Sequence, residues 1–167
     1  MDPFSEQILE YQKQIKKGVI QQAYRGLMSY LSSLRTCLAQ NHPNYYVSNM
    51  YFGYMDMTYF SFTPPSLKKE KLKIAIVFLH ESCRFEIWLA ANNKQVQTKY
   101  WHYFKALGWG KYPIVTTPHG EDAILRLTIT ENPDFSNLDG LTKNIEEKAL
   151  TFITDVEAIL SEHKNKP

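Results

Sequence analysis

Two carboxylates stand out by their surroundings. Asp56 is the sole charge in Met55-Asp56-Met57-Thr58-Tyr59, a stretch of strand-forming type, where a carboxylate must be exposed, hydrogen-bonded, paired or bound to a ligand or metal. Glu86 alternates with apolar residues in Arg84-Phe85-Glu86-Ile87-Trp88, and a cross-strand ion pair competes there with a ligand or metal contact. Asp56 and Glu86 are therefore candidates for a ligand or metal contact. His80-Glu81 with Cys83, together with His102 and His119, could be assembled into a metal site, but no Cys-x2-Cys or His-x3-His pair supplies closely spaced ligands. Cys83 lies three residues from His80 without the flanking signature of a nucleophile. Gly108-Trp109-Gly110 lacks the length and the Lys-Ser/Thr end of a phosphate loop and reads as a helix C-cap with an aromatic plug.

Aromatic residues carry the stronger functional signal. Tyr45, Tyr46, Tyr51, Phe52, Tyr54, Tyr59, Phe60 and Phe62 are more than two strands hide on one face, so some must line a second surface. That surface could stack bases or sugars, grip a peptide or receive the terminal helices. Tyr54, Tyr59, Trp88 and Trp101 are the candidate ligand-binding residues. Lys94, Lys99, Lys105 and Lys111 flank Tyr100-Trp101-His102-Tyr103-Phe104 and Trp109, a mixture compatible with nucleic acid. The whole-chain balance gives that reading little support: Lys+Arg 19 against Asp+Glu 17 leaves a formal charge of +2 and no global field for a polyanion.

The elements that must position these residues follow from periodicity. Phe4, Ile8, Tyr11 and Ile15 mark one face of a first helix, which Gly18 interrupts. Ile20, Tyr24, Leu27, Leu31, Leu34 and Leu38 mark a second, ending before Pro43. From Tyr45 to Phe62 the residue types favour strand, with Gly53 at a turn or bulge. Pro64-Pro65 closes that stretch, and Lys68 to Lys71 reads as an exposed connection. Leu72 to His80 reads as a strand whose middle, Ile74 to Leu79, is apolar on both faces, as a central strand should be, and a short link at Glu81-Ser82-Cys83 joins it to the alternating strand that starts near Phe85. Asn92-Asn93 caps a helix with Val96, Tyr100, Tyr103, Phe104 and Leu107 inward, and Pro113 to Thr117 reads as a short strand. Ala123 to Thr130 fits strand or helix, with Thr128, Ile129 and Thr130 favouring strand. After the cap at Ser136-Asn137-Leu138-Asp139, Leu138, Leu141, Ile145, Ala149, Phe152, Val156 and Ile159 describe a long last helix.

Composition sets the class. With 167 residues, 44% of them hydrophobic and 22% charged, the chain has the profile of one globular domain spanning its whole length. Apolar runs such as Ile74 to Leu79 are far shorter than the roughly 20 residues needed to cross a bilayer, and Met1-Asp2-Pro3-Phe4 has no leader-like pattern. Cys37 and Cys83 have no CxxC spacing and suit buried free thiols in a reducing compartment, so the expected location is the cytoplasm. The expected fold is α+β: an antiparallel or mixed sheet of about five strands, two N-terminal helices, one middle helix and one long C-terminal helix.

Three segments carry a resemblance: Tyr24-Arg25-Gly26-Leu27-Met28-Ser29-Tyr30-Leu31, Tyr51-Phe52-Gly53-Tyr54-Met55-Asp56-Met57-Thr58-Tyr59-Phe60 and Phe85-Glu86-Ile87-Trp88-Leu89-Ala90. With them, most of Tyr24 to Leu160 resembles a bacterial family of unknown function, which implies no activity. The order helix, three antiparallel strands, helix and strand is also similar to the core of PD-(D/E)XK nuclease-like domains, a likeness of topology alone. That resemblance implies a Mg²⁺ held by Asp56 and Glu86, with the metal polarising a water for phosphodiester cleavage. Glu86-Ile87-Trp88 departs from it by placing an indole where the acid-x-Lys pattern has lysine. The expectation is a non-catalytic binding or protein-interaction module without a cofactor, self-associating through the aromatic sheet or the terminal helices. The alternative is the Mg²⁺-dependent nuclease-like enzyme or a degenerate relative of it.

Overall fold

The computed structural model describes residues 1–165. Asp2 starts the first helix, α1 (Pro3–Ile15): its carboxylate accepts from the Ser5 N–H at 3.1 Å, and Pro3 occupies the first turn, where no intrahelical donor is required. Gly18, at φ 77°, separates α1 from α2 (Val19–Asn41). The chain gathers into two compact units, Met1–Leu34 and the remainder from Arg35, the division falling within α2.

In the second unit the order is β1 (Tyr46–Val47), β2 (Met57–Thr63), α3 (Pro65–Lys69), β3 (Leu72–Leu79), β4 (Arg84–Ala91), α4 (Lys94–Leu107), β5 (Leu125–Thr130) and α5 (Leu138–Lys164). The five strands form one antiparallel sheet, β1-β2-β3-β4-β5, so every strand pairs with its neighbour in sequence. The class is the expected α+β, with the apolar Leu72–Leu79 segment central and a long C-terminal helix.

Directly opposed residues of an antiparallel ladder share a face. Tyr59, Val77, Glu86 and Thr128 lie in one such row. Alternation then puts Met57, Ala75, Trp88 and Ala90 on the same face. Phe60, Phe62, Ile74, Ile76, Phe78, Phe85, Ile87 and Leu89 take the other face and are all fully buried. Helix α5 contacts β4 and β5 and buries Ile145, Ala149, Phe152, Ile153 and Val156. The first face carries a smaller apolar cluster: Ala75, Val77, Trp88, Val115 and Ala123, with Met57, Tyr59, Leu79 and Trp101 packed against it.

Several local expectations are corrected. The strand-like stretch from Tyr45 is broken between Val47 and Met57, because Gly53 (φ 72°) and Met55 (φ 62°) are left-handed and cannot continue a pleat. A Cβ on Gly53 would lie 2.1 Å from the Met57 carbonyl oxygen, so only glycine fits. Pro64-Pro65 starts a single helical turn, α3, within what reads as an open connection. The segment expected as a strand at Pro113 to Thr117 is reduced to one bridge, Ile114 to Leu125, since Pro113 offers a carbonyl to Arg126 but no donor in return. Leu107, expected inward, is exposed in the last turn of α4, and Gln97 in its first turn is buried. Gly108 ends that helix in the left-handed conformation, as expected of a C-cap, and the Trp109 ring lies stacked on Phe104 and edge-on to Tyr112. Cys83, expected to be buried, is exposed at φ 54° in the β3–β4 turn, and Cys37 is half-buried.

Candidate functional site

Over the first sheet face, beneath the segment 113–123, lies a cavity of about 470 Å³, within the range of sites for small ligands. Its floor is low because two positions of the first face are alanine, Ala75 on β3 and Ala90 on β4, beside Tyr59, Met57 and Trp88, and Ala91 at the end of β4 also lines it. Two α4 residues one turn apart hold the covering segment. Gln97 donates from Nε2 to the Glu121 carbonyl at 2.6 Å, and Trp101 donates from Nε1 to the Val115 carbonyl at 2.8 Å. Asn93, which caps α4 by accepting from the Val96 N–H at 2.9 Å, and Lys94 bring the start of that helix to the cavity rim. Lys73, His119, Glu121 and Asp122 complete a polar edge. Burial, the neighbouring Tyr51 and the Asp122 carboxylate together push the Tyr59 hydroxyl pKa up, which keeps the hydroxyl protonated.

Trp88 is fixed by Glu86. The indole Nε1–H donates to Glu86 Oε1 at 2.9 Å, Arg126 donates to the same oxygen at 3.0 Å, and Arg84 donates to Oε2 at 3.0 Å. The Arg126 guanidinium lies over the Trp88 ring, 4.5 Å from its centroid. Burial by itself would raise the Glu86 pKa. The Trp88 and Arg126 hydrogen bonds and the charges of Arg126 and Arg84 outweigh it and hold the carboxyl below its ordinary value. Both oxygens of a carboxylate that is 2% exposed are thus committed to three donors.

Asp56 is placed quite differently. It lies in the exposed turn before β2, where its carboxylate accepts from the Tyr54 N–H at 2.8 Å, and that bond and one from the Met57 N–H hold its pKa below normal. Its backbone carbonyl accepts from the His80 N–H at 2.9 Å. Asp56 precedes Tyr59 by three residues, and Tyr59 stands two strands from Glu86, which separates the two backbones by about 14 Å. An ion whose oxygens sit at roughly 2.0–2.6 Å does not fit between two acids so placed. Among the described residues no group of three His, Cys, Asp or Glu could hold a metal.

The family comparison completes the picture: a family model described as Domain of unknown function (DUF7000) matches residues 4–160. The chain belongs to that family. No curated protein and no solved structure matches it. All three sequence segments that carry the family resemblance lie within the matched DUF7000 span.

Of the four aromatic candidates in this DUF7000 chain, Tyr59 and Trp88 line the cavity and Trp101 packs against the same cluster, whereas Tyr54 is 91% exposed and stands outside it. The four lysines of the basic and aromatic stretch do not form one patch. Lys94 is at the cavity, Lys99 and Lys105 lie over the Tyr100 and Trp101 rings, and Lys111 pairs with Asp155 at 2.9 Å. Gln97, Ala75 and Ala90 escape a reading by residue type, because none of them carries recognisable chemistry. The signal for the two alanines is their weak strand preference within segments of branched and aromatic residues.

Proposed function

We propose that the chain is a non-catalytic binding module whose site is the cavity over the first sheet face. The ligand is a small molecule with a flat or apolar body, resting on Tyr59, Trp88 and the two alanines, and with polar groups of both signs at its edge. The cavity carries this reading, because it joins aromatic walls to an edge with cations and acceptors. None of the ion pairs among the described residues engages Lys73 or Lys94, which leaves both for an anionic group of the ligand. Glu121 and Asp122 on the covering segment offer acceptors for N–H donors.

The nuclease-like alternative needs Asp56 and Glu86 to share a Mg²⁺, and their separation and the full coordination of Glu86 by donors weigh against it. Nucleic acid is likewise the lesser candidate, since three of the four lysines that suggested it already face aromatic rings or a carboxylate of the same chain. The test is an NMR titration of the full chain with a fragment set of flat carboxylates and amines. Shifts should gather at Ala75, Ala90, Gln97 and the Trp88 indole, and Ala90→Leu, which fills the floor, should remove them while leaving the rest of the spectrum in place. Fragment shifts gathered elsewhere, or unchanged by Ala90→Leu, would overturn the assignment.

A further inference from the structure

The first sheet face does not end at the cavity. Antiparallel pairing sets Ser61 opposite Ala75 and Tyr46 opposite Thr63, and Lys73 is paired with Ala90. The β2–β3 ladder continued by two residues brings Thr63 opposite Lys73, so all four side chains share the face of the two alanines. Among them, Lys68 of α3 and Asn92 of the β4–α4 link lies a second depression of about 240 Å³, and Lys73 borders both it and the cavity.

The chemistry of this depression is one-sided. No acidic residue lines it. Lys68 and Lys73 take part in none of the ion pairs among the described residues. The Lys68 ammonium lies 4.0 Å from the Tyr46 ring centroid, a contact that orients the charge without neutralising it. Ser61 is only 7% exposed, and its hydroxyl has no hydrogen-bond partner among the described residues, although its N–H donates to Ser48 Oγ at 2.8 Å and its carbonyl accepts from the Ser48 N–H at 3.2 Å. The buried Thr63 hydroxyl accepts from the Ile74 N–H at 3.1 Å, while its own hydrogen finds no acceptor among the described residues.

Hydroxyls so buried require a partner. Water satisfies them but leaves two like charges facing one depression. A carboxylate compensates one of those charges, with two oxygens in a plane. A phosphomonoester compensates both, and its three oxygens, set about a tetrahedron, suit donors that arrive from β2, α3, β3 and the β4–α4 link. We propose that the depression is a phosphate subsite, which takes the phosphomonoester group of a ligand whose flat body lies in the adjoining cavity, with Lys73 at the join. The ester link rests on the reading of the cavity above; the subsite stands on the second depression alone.

The experiment is an NMR titration of the full chain with inorganic phosphate, phenyl phosphate and the neutral fragment benzamide. Inorganic phosphate should shift the amides of Ser61, Thr63 and Asn92. Phenyl phosphate should shift these together with Ala75 and the Trp88 indole, and bind about tenfold more tightly. Lys68→Gln, at an exposed position where the melting temperature should be retained, should weaken both phosphates by about fivefold, and Ser61→Ala by about threefold. Neither variant should change the benzamide shifts. Phosphate shifts gathered elsewhere, or affinities that both variants leave unchanged, would mean an adventitious ion only and overturn the subsite. Equal affinity for the two phosphates would overturn the ester link. Benzamide that leaves the cavity silent while phosphate still shifts Ser61 and Asn92 would overturn the cavity reading and uphold the subsite.

Discussion

Replacing Glu86 by alanine tests the central electrostatic claim, that this carboxylate is a structural hub which fixes Trp88. The substitution leaves the indole N–H of a 94%-buried tryptophan (6% exposed) without its acceptor, at a cost of about 1–3 kcal/mol. It also strands two guanidinium groups. Removing one partner of a fully buried pair costs roughly 3–5 kcal/mol, but Arg84 and Arg126 are 35% and 34% exposed and keep water on their outer sides, which reduces that loss to about 1–2 kcal/mol. The sum is about 2–5 kcal/mol, or a melting temperature lower by roughly 4–20 °C for a chain of this size. Glu86→Gln keeps an acceptor for the indole and should lose about half as much. The pH dependence has a definite sign. The folded-state carboxyl titrates below 4.5, so its contribution is complete above that value and disappears as pH falls through the folded-state pKa. Thermal melts of both variants at neutral and acidic pH are the assay. A Glu86→Ala chain that melts within about 2 °C of the parent at neutral pH, or a gap that stays constant into acid, would refute the reasoning.

Two further outcomes follow from the turn before β2 and its neighbour His80. Gly53→Ala should destabilise by about 1–3 kcal/mol in chemical denaturation, because the methyl group meets the Met57 carbonyl oxygen and the left-handed backbone is strained for alanine. Thr58 donates its hydroxyl hydrogen to the Phe52 carbonyl at 2.7 Å, so its oxygen accepts from His80 Nε2 at 2.9 Å. Burial holds the His80 pKa below 6.5, against the opposing pull of Asp56. The unfolded chain therefore takes up this proton first, and stability should decline as pH falls from about 6.5 toward the folded-state value, a slope that His80→Gln should flatten in melts across that range.

Much of the architecture is written locally. The helix period of Leu138 to Ile159, the doubly apolar Ile74 to Leu79, the alternation after Arg84 and the Asn93 and Gly108 caps each state an element without reference to the rest of the chain. Where the reading of elements departs from the structure, one or two residues overrule composition. Left-handed Gly53 and Met55 break a stretch whose residue types all favour strand, and Pro113 withholds the donor that a ladder needs.

The site was legible only in fragments. Aromatic character singles out Tyr54, Tyr59, Trp88 and Trp101, of which Tyr54 stands outside the cavity, and the isolated acids single out Asp56 and Glu86. Sequence alone therefore determined which side chains are unusual for their surroundings, because periodicity and polarity are local properties. It could not say that Glu86 would be enclosed by Arg126 of β5, forty residues away, or that Asp56 would cap a turn about 14 Å from it. Nor could it place Ala75 beside Ala90 under a segment held by Gln97 and Trp101. Those relations depend on strand register and on which segment closes over which face, and register is a property of the assembled sheet.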